Sequence, residues 1–184
     1  MNSPRRLKIF MMSQSITFFA SSLIFPFYIL FLKNVGSSFT AFGFSYGLFG
    51  LSSALLYPLL GKISMLIENR VFMYVHCFGM ALVLLSFPHI TEVSEVYVVQ
   101  VILGILGAFQ KHGEKMILVD YTNEGNRGQK LGNYHFWTAL CSSFAVMSAG
   151  LLADFFTIHA IFYGSSILYF VSGLLLLNKK LTSK

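Results

Sequence analysis

The sequence predicts an all-α membrane protein of six transmembrane helices, and three observations predict it. Hydrophobic residues make up 55% of the 184-residue chain and charged residues 11%, against roughly 25% charged in a soluble domain. The apolar residues fall in six runs, about 8–32, 39–66, 71–88, 95–120, 132–153 and 157–178, each near the ~20 residues that cross a bilayer. Of the 13 Lys and Arg, all but Lys33 lie at the termini or in every second connection. That is how topology determinants are distributed, and it argues against a nucleic-acid surface despite the formal charge of +6. The short connections leave no room for a soluble domain, so residues 1–184 read as one six-helix unit.

Span one follows Arg5, Arg6 and Lys8. Its apolar run is too long for the roughly 7–15-residue core of a signal peptide, so it reads as a retained helix. At about 100° per residue, Gln14, Phe18, Ser21, Phe25 and Tyr28 share one of its faces. Span two carries Tyr46, Gly50, Ser53 and Tyr57 on one face, with Gly43 and Gly47 four apart beside them. Span three is apolar and ends at Pro88-His89. Span four is the element around which the chain is organised. It begins uncharged, then acquires Lys111, His112, Glu114, Lys115 and Asp120 before any turn residue. Gln100, Gly104, Gly107, Lys111, Glu114 and Leu118 fall on one face. Ionisable groups in a membrane helix are costly and are kept mostly where they meet water or a partner. The face therefore reads as the lining of a pathway, with a charged helix end, where Lys111 and Glu114 form a surface pair, as the alternative. Span five places Ala145, Ala149 and Ala153 four apart, a spacing that suits close helix contact in lipid. Spans three and six read as peripheral.

The basic residues put both termini and the loops after spans two and four in the cytoplasm, and the 89–95 loop outside. Cys77 and Cys141 lie in apolar stretches without metal spacing and read as small buried residues. The five His are scattered, and no Ser/His/Asp or H-E-x-x-H arrangement occurs. No cofactor, metal or catalytic residue is expected.

Several segments taken together resemble the major facilitator superfamily of secondary transporters, as a single six-helix half. Phe25-Pro26-Phe27-Tyr28 followed by Lys33-Asn34-Val35-Gly36 is similar to the end of that family's first helix. The stretch from Gly61 to Arg70 resembles the loop motif G-x-x-x-D-R-x-G-R-R; Gly61 and Arg70 match, while Met65, Leu66 and Glu68 stand where Asp, Arg and Gly are usual. Gln100 and Gly104 occupy the R-x-x-x-G positions of the fourth helix, with Gln100 in place of Arg. Arg127-Gly128 through Gly132 is similar to the R-G-x-x-x-G loop that enters span five, and the Gly-Pro antiporter motif is absent from that span.

The resemblance implies a 3+3 inverted repeat, with substrate held near the bilayer midplane between two halves. Spans one and four would line the path through Gln14, Phe18, Ser21, Phe25, Tyr28, Gln100, Lys111 and Glu114. Spans two and five would meet the other half through Gly43, Gly47, Ala145 and Ala149, and spans three and six would face lipid. Arg70 would pair with Asp120 to brace the cytoplasmic side, Arg127 would belong to the loop that enters span five, and Glu114 would carry the coupling proton. The function implied is a half-size transporter of a small solute, with proton-coupled efflux as one mode. It would work as a parallel homodimer or with a homologous second half in the cell membrane. The alternative is a non-transporting membrane subunit, or the remnant of a split or truncated transporter.

Overall fold

In the computed structural model, which describes residues 3–35 and 38–177, every element is helical among the described residues: α1 (Ser3–Asn34), α2 (Phe39–Ile63), α3 (Asn69–Ser86), α4 (Val93–Tyr121), α5 (Arg127–Phe155) and α6 (Ile158–Leu176). Short 3-10 turns at Phe87–His89 and Glu124–Asn126 precede α4 and α5. Gly36, the cations Lys179, Lys180 and Lys184, and the side chains of Lys33 and Ala153 lie outside what is described. All six helices are long and apolar enough to cross a membrane.

The helix ends follow capping chemistry as much as hydropathy. Ser38 caps α2 by accepting from the Ala41 N–H (3.2 Å), and Thr157 caps α6 by accepting from Ala160 (3.3 Å). The Glu95 carboxylate closes the start of α4 on the N–H groups of Thr91 (2.8 Å) and Glu92 (3.1 Å). Helix α5 starts at Arg127, about five residues earlier than hydropathy suggested, because Arg127 Nε donates to Thr122 Oγ1 (3.3 Å) and Lys130 Nζ to the Tyr121 carbonyl (3.2 Å). These bonds order a polar first turn that carries no hydropathy signal. Helix α2 stops at Ile63 rather than near residue 66, with Ser64 as its cap.

The packing repeats itself. The extensive interfaces are α1 with α5 and α6, α4 with α2 and α3, and α3 with α6, while α1 and α4 touch only lightly. Exchanging α1 with α4, α2 with α5 and α3 with α6 maps this set onto itself, as a 3+3 repeat requires. The cores obey the same exchange. Leu23, Phe27, Ala145, Ala149 and Ile161 join α1, α5 and α6, and Leu60, Phe72 and Ala108 join α4, α2 and α3. Thus α1, α6, α3 and α4 form a ring, with α5 and α2 as outer wings. The wings are the least buried helices, with 17% and 11% of their apolar windows buried, against 39% for α1, α3 and α6.

Polar contacts tie the ring where apolar contact gains nothing over lipid. Ser172 of α6 exchanges hydrogen bonds with Ser13 (2.7 Å between hydroxyls) and Thr17 (2.8 Å) of α1, and Cys77 of α3 completes the node 3.7 Å from Ser172. At the end bearing the first 3-10 turn, Phe87 stacks on Phe162 at 4.6 Å and meets Phe31 at 5.3 Å. At the opposite, basic end, Phe10 stacks on Tyr134 at 6.0 Å.

Two expectations about small residues divide here. Ala145 and Ala149 are fully buried against α1 and α6, so they are not a surface for another half. Their small side chains let α5 approach α1, and the outward face of α5 carries Phe144, Met147 and Leu151 instead. Gly43 and Gly47 have open space around them, with nothing within 4 Å of an added Cβ.

Candidate functional site

Where α1 and α4 diverge, a cavity of about 240 Å3 opens between them and reaches back to α3 and α6. Ser21, Phe25 and Tyr28 enter from α1, Gln100, Gly107 and Gln110 from α4. The shared faces read from the sequence thus meet across one space at these positions. Gln100 Nε2 donates to the Tyr28 hydroxyl, which lies beside Ser45 of α2. Ser45 in turn donates to the Phe42 carbonyl at 2.8 Å. The polar residue in the middle of α4 is therefore bound to α1, and its partner is buried.

Other lining residues come from elements that the sequence did not place at a pathway. Tyr46 and Phe49 reach in from α2 and Tyr169 from α6. His76 of α3 is 2% exposed and forms the inner wall, with its Nδ1 2.9 Å from the Leu106 carbonyl and its ring edge-on to Tyr169 at 5.6 Å. The signal was present: a titratable side chain in an apolar span is a functional candidate by default. Scanning the histidines for metal spacing passed over it. The walls are mainly aromatic and aliphatic.

Lys111 and Glu114 do not reach this space. They line a second pocket of about 430 Å3 with Lys115, Arg127 and His135, between α4 and the start of α5. At about 1.5 Å per residue, Gln100 and Glu114 share a face but sit about 21 Å apart along the axis. One face therefore serves two sites at different depths. Glu114 is half-buried and faces the Tyr134 hydroxyl, which is buried without a hydrogen bond of ordinary geometry. Gln14 is fully buried, with neither amide atom partnered, and lines neither pocket; Phe18 is half-buried and lines neither.

A third pocket, about 250 Å3, lies at the basic end among Arg6, Glu68, Asn69, Arg70, Asp120 and Tyr121. The expected Arg70–Asp120 pair gives way to a neighbouring contact. Asn69 Nδ2 donates to the Asp120 carboxylate at 3.1 Å, while the Arg70 guanidinium lies over the Tyr121 ring at 6.0 Å. The α2–α3 connection is still tied to the end of α4, through an amide instead of a salt bridge. The reason is local: Asn69 opens α3 and takes the position nearest the carboxylate. Gly61 is open to its surroundings, and Arg127 is spent on Thr122.

Comparison with known proteins gives this geometry a context. Residues 10–183 match the model of the Major Facilitator Superfamily. The chain is 62% identical over 161 residues to a Bacillus subtilis (strain 168) protein described as an uncharacterized MFS-type transporter, YitZ; the alignment covers 88% of this chain and 98% of that protein. The matched protein is therefore itself short enough to hold about six spans. The match runs from the first helix past the last, over the same helices that form the exchange-symmetric ring and its wings, and the chain is a member of the major facilitator superfamily.

Proposed function

We propose that this integral multi-pass membrane protein is a half-size secondary transporter module that moves a small solute and works as a pair of halves. The membership is in a family of transporters, not of enzymes. The observation that carries the reading is the cavity between α1 and α4, the two helices on which the least buried helices, α5 and α2, are packed. A cleft open on that side is one wall of a site, and in this architecture such sites lie between repeats near the membrane midplane. A second copy inserted the same way supplies the other wall through a two-fold axis along the membrane normal. A separate homologous half would do so equally. The faces offered are Gly43 and Gly47 with Phe44, Leu51 and Leu55 on α2, and Phe144, Met147 and Leu151 on α5. The similar shortness of the Bacillus relative supports a six-helix unit.

Coupling to protons is assigned to Glu114, a half-buried carboxylate among Lys111, Lys115 and His135. The test is reconstitution of the purified chain in proteoliposomes, with an imposed pH gradient and a panel of small solutes. Gradient-driven uptake of at least one solute is expected. A second reading, a non-transporting subunit, is favoured by Gln100 donating to Tyr28 where the family has an arginine. Silence across the panel by a folded protein would favour that reading.

The orientation assigned is both termini in the cytoplasm of the cell membrane. A thiol introduced at Thr91 should react with an impermeant reagent in intact cells, and one at Asn126 only after lysis. The opposite pattern inverts the topology.

A further inference from the structure

We infer that the cavity between α1, α3 and α4 takes an uncharged aromatic solute of about two fused rings, held by a hydrogen bond that the solute donates to Nε2 of His76. The inference deepens the transporter reading by naming its substrate class, and the binding step itself can be tested without transport.

The tautomer follows from the geometry. A backbone carbonyl only accepts, so the 2.9 Å contact with Leu106 requires that Nδ1 of His76 carry the hydrogen. Nε2 then presents a lone pair. That atom is buried and has no partner among the described residues, while the ring lines the cavity. A buried acceptor without a partner is costly, and here it belongs to a ring that lines a binding space. The Leu106 carbonyl and the Tyr169 ring hold the imidazole in place, so its orientation does not depend on a ligand. Gln100 already spends an Nε2–H on the Tyr28 hydroxyl.

The other walls define the class. Phe25, Tyr46, Phe49, Phe87 and Tyr169 offer ring faces and edges, which suits an aromatic ligand. Among the described residues no lysine, arginine, aspartate or glutamate lines the cavity. A cationic or anionic ligand would be desolvated with no counter-charge from this half, and no carboxylate is present to balance a charge on the His76 ring. A neutral phenol or indole-type N–H meets both conditions. The volume of about 240 Å3 matches a two-ring compound.

The experiment compares 2-naphthol with 2-methoxynaphthalene, which has the same rings without the donor. Binding to the full chain in nanodiscs is measured by equilibrium dialysis against protein-free nanodiscs, which removes the partition into lipid. Saturable binding with an about tenfold preference for the naphthol is expected, or about 1.4 kcal/mol. His76→Phe should erase the preference while leaving the ether's affinity near wild type. As a check that needs no variant, the 15N signal of His76 Nε2 in wild-type protein should shift toward the protonated range with naphthol and stay still with the ether. Equal affinities, no saturable binding, a preference that survives His76→Phe, or an unmoved Nε2 signal would each overturn the inference. Because flux is not read, a chain that transports nothing can pass, and one that transports can fail.

Discussion

Replacing Gly104 by alanine should cost about 3 kcal/mol or more, at or above the upper end for overpacking. A Cβ at Gly104 would run into the Phe49 carbonyl and the Ser52 hydroxyl of α2. The first is backbone and cannot rotate away, so α2 must shift along the interface that holds this wing to the ring. The same substitution at Gly43 meets nothing within 4 Å and should be neutral or slightly stabilising, since alanine exceeds glycine in helix propensity by up to about 1 kcal/mol. At Gly107 the nearest neighbour is the tip of the Phe49 ring, 3.3 Å away, which can yield. Thermal unfolding in detergent should therefore rank the variants Gly104→Ala far below Gly107→Ala, and that below Gly43→Ala. A Gly104→Ala protein as stable as wild type would mean that α2 does not pack on α4 as described.

Glu114→Gln is expected to abolish gradient-driven uptake, by at least tenfold, while solute exchange without a gradient persists. Glutamine keeps the shape and the hydrogen-bonding reach toward Tyr134 but cannot exchange a proton. The variant should fold, because the carboxylate is half-buried at a pocket rim and is not packed in the core. Counterflow of labelled solute in proteoliposomes, with and without a pH gradient, separates coupling from binding. Equal loss of both would make Glu114 a structural residue, and retention of both would remove it from coupling.

Much of this architecture was legible in the sequence. In lipid a span is marked by what it lacks, and six mainly apolar runs with basic residues biased to every second connection are hard to misread. The stripes on α1 and α4 were legible for the same reason: Ser21, Tyr28 and Gln100 are polar where every alternative is apolar, so their shared faces stand out. What periodicity cannot supply is the partner of a face. In water the apolar side of a helix identifies the core; in a bilayer the lipid side is apolar too. Hence the alanines of α5 and the glycines of α2 looked alike, although Ala145 is buried and Gly43 is open. The contributions of Tyr46, Phe49 and Tyr169 were hidden because an aromatic residue in a greasy helix carries no directional signal. Depth was also misjudged, since Gln100 and Glu114 share a face and yet serve separate pockets. Where the residue types changed the bond, as with Asn69 replacing Arg70 at Asp120, the resemblance located the neighbourhood and not the contact.

The central claim is that this half works against a second half through α2 and α5, and cross-linking tests it directly. Leu55 on α2 and Met147 on α5 are 71% and 72% exposed, and Ile167 on the ring helix α6 is 64% exposed, so exposure does not separate them. In a Cys141→Ala background, with Cys77 buried, the chain carrying both Leu55→Cys and Met147→Cys should form a covalent dimer in membranes on mild oxidation, because the two-fold axis brings α2 of one copy to α5 of the other. Ile167→Cys should stay monomeric. Dimers through Ile167→Cys, with none through the Leu55 and Met147 pair, would contradict the arrangement.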